Sequence, residues 1–144
     1  MKKAVLYFLM VFVVSTADAA EIKTTNTTVR YSAAQDVDDV LYRLTGKKEG
    51  AFLTVLDEII EDVQHALDTY GLVEISVVIK PGNPEGLRGE YNAARKEILI
   101  YTKDVTRGIF AHEAAHAILC QTFKPTPSHA IQEMVAQAVD KEIF

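Results

Sequence analysis

Between residues 52 and 70, Phe52, Val55, Leu56, Ile59, Ile60, Val63, Leu67 and Tyr70 recur at intervals of three and four, while Asp57, Glu58, Glu61 and Asp62 fill the opposite side. That period predicts a long amphipathic helix, with Gly71 as its stop. A shorter run of the same kind, Val37, Val40, Leu41 and Leu44, predicts a helix from about Asp36 to Gly46. His65 falls on the charged side of the longer helix and reads as a solvated surface residue. From Val73 the period changes to two. Val73, Ile75, Val77 and Ile79 alternate with Glu74, Ser76, Val78 and Lys80, the pattern of a strand with one buried face.

Pro81-Gly82-Asn83-Pro84-Glu85-Gly86 is a loop. Beyond it, Leu87–Asn92 and Glu97–Tyr101 predict two strands joined by a turn at Ala93–Lys96, hence a hairpin. Arg107–Gln121 reads as a helix. Thr126-Pro127 offers an N-cap and a proline at the first helical position, so a last helix is expected from about Pro127 to Glu142. Residues 21–35 are polar and threonine-rich, with no helical period, and are expected to form an extended arm or a flexible leader. The elements together predict one α+β domain over residues 36–144: N-terminal helices, a short mixed sheet with a hairpin, and two C-terminal helices.

The first residues change the picture of where the chain works. Met1-Lys2-Lys3 is followed by an apolar run from Ala4 to Val14, and then by Ser15-Thr16-Ala17-Asp18-Ala19. A basic start, a short apolar stretch and an Ala-x-Ala ending have the layout of a secretory signal peptide cut after Ala19. The run is too short to span a bilayer, which needs about 20 apolar residues. The domain order expected is therefore a leader at 1–19, a polar arm at 20–35 and the folded domain at 36–144. The protein is expected to be exported, periplasmic or extracellular, with no stable membrane anchor once the leader is removed. Net charge is −5, from 15 basic and 20 acidic residues, and the basic ones are scattered. No basic patch speaks for nucleic acid as a partner. Cys120 is the single cysteine, so no internal disulfide forms.

Candidate chemistry is concentrated at residues 107–120, RGIFAHEAAHAILC. His112 and His116 are four apart and project from one helical face, so their imidazoles can converge on one ion. Glu113 points about 100° around the axis, beside such an ion rather than onto it. There a carboxylate can hold water and take its proton, the chemistry of an HExxH zinc site. A third ligand is needed. A third histidine from the same stretch, in the metzincin arrangement, would need a glycine and then that histidine at the places held by Leu119 and Thr122, so this option is closed. Glu133, on the next predicted helix among Ile131, Met134, Val135 and Ala136, is the candidate. His129 lies four before Glu133 and stands as an alternative third ligand or as a donor to a transition state. Cys120 continues the 112–116 stripe and reads as a buried structural thiol; Tyr91 and Tyr101 flank the hairpin and read mainly as packing.

From Leu72 to the C-terminus, about half of the chain, the sequence resembles the gluzincin zinc metallopeptidases, and especially minimal single-domain members. GEYNAARKEILIYT matches their strands, HEAAH their catalytic helix, and PSHAIQEMVAQAVD their glutamate helix, with Pro127, Glu133 and Ala136 at the matching places. The resemblance implies a small zincin-like fold, Zn2+ held by His112, His116 and Glu133, Glu113 as general base, and hydrolysis of peptide bonds through a metal-activated water. It also implies a peptide or protein substrate lying along an edge strand, for which Glu97–Tyr101 is the candidate. The chain departs from the pattern at Met134, where a glycine is common, and at Gln137, where thermolysin-like members have an aspartate bonded to a ligand histidine. An amide oxygen at Gln137 can accept that bond without supplying charge. The alternative expectation is a weak or inactive zinc-binding module of the same fold, acting in binding or regulation.

Overall fold

A computed structural model describes residues 20–24, 27–47, 52–82 and 88–143. The leader expected at residues 1–19 lies outside the described residues. The described chain is α+β, with four helices and a five-stranded mixed sheet. In order come β1 (Ala20–Lys23), β2 (Thr27–Tyr31), α1 (Ala34–Thr45), α2 (Phe52–Ala66), β3 (Ile75–Lys80), β4 (Gly89–Asn92), β5 (Glu97–Tyr101), α3 (Arg107–Thr122) and α4 (His129–Ile143). The strands lie in the order β1-β2-β3-β5-β4. β3 is parallel to both β2 and β5; β1 and β4 close the two edges in antiparallel pairing.

Register explains which face is buried. Thr27 pairs with Ile75, Val29 with Val77, Val77 with Ile98, Ile79 with Ile100, and Ile98 with Tyr91. These side chains share one face, and Val29, Val77, Ile98 and Ile100 are fully buried. Each such side chain removed from water contributes roughly 1.5–3 kcal/mol. α2 and α3 lie against this face, α2 through Leu56, Ile59 and Val63, and α3 through Phe110, Ala114 and Ile118. A polar tie joins the sheet to α2, where Thr27 Oγ1 of β2 donates to Asp57 Oδ1 at 2.8 Å. The opposite face carries Arg30, Ser76, Lys80 and Glu90 around half-buried Val78 and Leu99.

α3 is the central helix. It packs against α2, α4, β4 and β5 at once. Ala111, Ala114, Ala115 and Ala117 are all fully buried, and these small side chains admit neighbours on several sides. Thr106 caps its start, accepting from the Ile109 N–H at 3.1 Å.

Four expectations need correction. Residues 20–35, expected as an arm, carry two strands of the sheet; β1 and β2 pair over four residues, and β2 joins β3. α2 ends at Ala66 rather than near Tyr70, because Asp68 takes a left-handed φ of 51° and the Thr69 N–H closes back onto Gln64 O at 2.9 Å. α4 begins at His129, with Ser128 Oγ accepting from the Ile131 N–H at 3.4 Å in the role expected of Thr126. Finally, Glu97–Tyr101 is interior, between β3 and β4, so the edge beside the HExxH helix is β4, Gly89–Asn92.

Candidate metal centre

The helical spacing of His112 and His116 brings their Nε2 atoms to 3.3 Å of each other, with ring centroids 5.0 Å apart. α4 packs against α3 and delivers Glu133 between them. Glu133 Oε1 lies 3.0 Å from His116 Nε2, and Oε2 lies 3.5 Å from His112 Nε2. His112, His116 and Glu133 thus offer three ligand atoms within 4.8 Å of one another, a group that could hold a metal ion. The separations fit one. Four ligands placed tetrahedrally about zinc at 2.0–2.1 Å stand about 3.3–3.4 Å apart, which is the spacing of the two nitrogens. Two imidazoles whose unshared nitrogens face each other, with a carboxylate on both, form a poor packing motif but a good chelate.

The group opens to solvent on one side. The His116 side chain is 9% exposed, His112 21% and Glu133 38%, so the ligands line a floor rather than a closed cage. Burial pushes the His112 pKa down, as does the neighbouring His116, while Glu133 and Asp140 act in the other direction. A neutral imidazole with a free lone pair is the ligating form. Asp140 lies against the first turn of α3: a Cβ on Gly108 would collide with Asp140 Oδ1, so glycine at 108 makes room for that carboxylate.

Glu113 is outside the ligand group and beside it. Its pKa is raised, chiefly by burial and further by Glu133 and Glu90, against opposing contributions from His116 and a hydrogen bond from the Tyr91 backbone N–H. β4 comes close enough that a Cβ on Gly89 would lie 3.1 Å from Ile109 Cγ2 and 3.3 Å from Glu113 Cγ. The carboxylate therefore sits between the metal group and the edge strand.

The other expected residues distribute as follows. His129 Nδ1 is 3.7 Å from Glu133 Oε1, its ring is 6.2 Å from that of His116, and its side chain is 83% exposed, so it stands at the rim and outside the convergent group. Gln137 is exposed. The amide that meets a ligand imidazole is Gln132, whose Oε1 lies 3.1 Å from His116 Nδ1. Sequence reasoning missed this residue; its only signal was a position directly before Glu133 on a helix whose other face was unknown. Tyr101 is buried in the core. The Tyr91 hydroxyl is buried without a hydrogen-bond partner among the described residues; Gln121, beside it, is committed to the Glu74 backbone at 2.8 and 3.1 Å. Cys120 is half-buried, and burial raises its thiol pKa, so it is no ready thiolate. His65 is exposed, as expected. No helix among the described residues is long and apolar enough to cross a membrane.

No protein-family model, curated protein or solved structure matches this chain. The functional reading therefore rests on the residues themselves.

Proposed function

We propose that the protein is an exported, zinc-dependent metallopeptidase of the gluzincin type, which hydrolyses peptide bonds. The observation that carries the reading is the pair of Nε2 atoms facing each other at 3.3 Å beneath Glu133, with an additional half-buried carboxylate, Glu113, directly alongside. A purely structural zinc has no use for that extra carboxylate and usually closes its fourth position. Two imidazole nitrogens and a carboxylate oxygen are a zinc ligand set, and His112, His116 and Glu133 would hold the ion. When bound, zinc supplies a Lewis acid that polarises a carbonyl and makes water more acidic.

The chain's own residues do the rest. Glu113 accepts the proton of the attacking water and returns it to the leaving amine. Its upward-shifted pKa brings it nearer the working pH, which suits a group that must both take and give a proton. A peptide substrate extends along β4, pairing its backbone with the outer side of that strand, which has no partner among the described residues. Because β4 passes Glu113 at Gly89, where a Cβ would lie 3.3 Å from Glu113 Cγ, a peptide added to that strand runs past the carboxylate. His129, exposed at the rim next to Glu133, supplies a donor to the oxyanion that develops as the carbonyl is attacked.

Glu113→Gln tests this reading. The variant is expected to retain zinc and to lose peptide hydrolysis by a factor of at least ~10², measured on a quenched fluorescent peptide library. Turnover equal to wild type would remove Glu113 as the base. Zinc binding without turnover in either form would favour a binding module on the same fold.

A further inference from the structure

We infer that the outer edge of β1 is a self-pairing surface, on which a second copy of this chain adds antiparallel, with Ile22 opposite its own copy and Glu21 opposite Lys23. β1 ends the sheet on the side away from β4, and its outer side has no partner among the described residues. The hairpin decides which of its backbone groups are free. The Thr24 N–H donates to the Thr27 carbonyl at 2.8 Å, so Thr24 turns its backbone toward β2. The same register runs on from Lys23 opposite Thr28 to Ala20 opposite Tyr31. Successive residues of an antiparallel ladder present their N–H and C=O to opposite sides. Ile22 and Ala20 therefore bond to β2, while Glu21 and Lys23 turn theirs outward.

Charge then selects one register. A new antiparallel strand bonds outward-facing residues to outward-facing residues, so Glu21 and Lys23 must meet Glu21 or Lys23 of the second copy. Glu21 against itself sets two carboxylates directly opposite, and Lys23 against itself sets two ammonium groups opposite; both are unfavourable. Glu21 against Lys23 sets opposite charges face to face on each side of a two-fold axis, an arrangement that closes at two chains. Ile22 lies on that axis. It pairs with Val29 on the helix-covered face and is half-buried against the core. Opposite residues of a non-hydrogen-bonded pair bring their Cα atoms to about 4.5 Å, so the two isoleucines cover each other.

Within one chain, Lys23 Nζ lies 2.7 Å from Glu21 Oε1, Arg30 Nε 3.3 Å from Glu21 Oε2, and Arg30 Nη1 3.6 Å from Glu97 Oε2. These charges cancel, so a second copy meets a neutral edge. A lysine alone blunts an edge strand against pairing; a glutamate two residues before it opens that edge to its own copy in one register. So short a strand buries less than the ~1,200 Å2 of a stable interface, so the dimer forms and dissociates with concentration. The pairing leaves β4 free in both copies and does not depend on the metal reading.

Sedimentation velocity on the purified protein from ~10 µM to ~1 mM is expected to show a monomer–dimer equilibrium, and a monomer throughout would overturn the proposal. Glu21→Lys and Lys23→Glu each set like charges opposite on both sides of the axis, and each should lose the dimer. Mixed in equal amounts they should dimerise again, because every lysine of one variant then faces a glutamate of the other. A single variant that keeps the dimer, or a mixture that stays monomeric, would contradict the register. Amide exchange needs no variant: the Glu21 and Lys23 N–H groups should exchange several-fold more slowly at the higher concentration, and that of Ile22 at one rate throughout. Equal rates for Glu21 and Lys23 at both concentrations would place any dimer on another surface and overturn the proposal.

Discussion

Asp57 is half-buried on α2 and accepts from Thr27 on β2. Burial raises its pKa above the ordinary 3.8, and the bonds from Thr27 and Thr24 only partly offset that. A carboxylate whose folded pKa is raised binds protons more tightly in the folded state. Its contribution to stability is therefore present at low pH and is lost as pH rises just above 3.8. Asp57→Asn keeps an oxygen for Thr27 and removes the titration. We expect the variant to show a flatter decline in urea stability across that window and to be no less stable than wild type at neutral pH. A steeper decline would contradict the burial argument. The same scale shows what single residues disclose in a sequence. His112, Glu113 and His116 were legible because a helix fixes the relative directions of residues one and four apart. Glu133 was legible as an acid among apolar neighbours. Gln132 was not, because its partners, His116 and Pro127, are set by how α4 returns across α3, and no local spacing encodes that.

At the scale of elements, α3 and β4 carry the site, and their contact is close because Gly89 has no side chain to hold them apart. Gly89→Val should push β4 off Ile109 and Glu113, at a cost of about 1–3 kcal/mol in unfolding free energy, and should impair hydrolysis more than zinc binding, since the metal ligands come from α3 and α4 alone. Equal loss of both, with stability intact, would mean that β4 is not the substrate strand. Periodicity made α1 and β3 readable in advance, the turn between two short strands made the β4–β5 hairpin so, and the HExxH motif marked α3, whose burial on nearly all sides leaves little period to read. β1 and β2 were hidden because the inward positions of β2 include Thr27, whose buried hydroxyl is satisfied by Asp57, so the apolar alternation is broken. The end of α2 was missed for a related reason. Leu67 and Tyr70 continue the helical period, yet Asp68 turns left-handed, and Tyr70 ends up 78% exposed.

Over the whole molecule, strand order is the feature that local pattern could not supply. β5 looked like an edge because it ends the sheet in sequence, but the hairpin folds β4 outward and leaves β5 parallel to β3 in the interior. The same arrangement aligns the free edge with α3, and α4 then completes the ligand group across the top of that helix. An ion held by His112, His116 and Glu133 would tie α3 to α4 and would bind only the folded chain. It should therefore add about 2.7 kcal/mol at a free zinc level 100 times the Kd. Chelation with EDTA is expected to lower the thermal midpoint of wild type and to leave that of His116→Ala almost unmoved; an identical drop in both would place the ion elsewhere. The most direct test is the metal content of the protein, purified without added zinc and measured by inductively coupled plasma mass spectrometry beside Glu133→Ala. The account predicts close to one zinc per wild-type chain and a large loss in the variant. A wild-type chain carrying no zinc above the buffer, or a Glu133→Ala chain that keeps it in full, would contradict the metal centre on which the function rests.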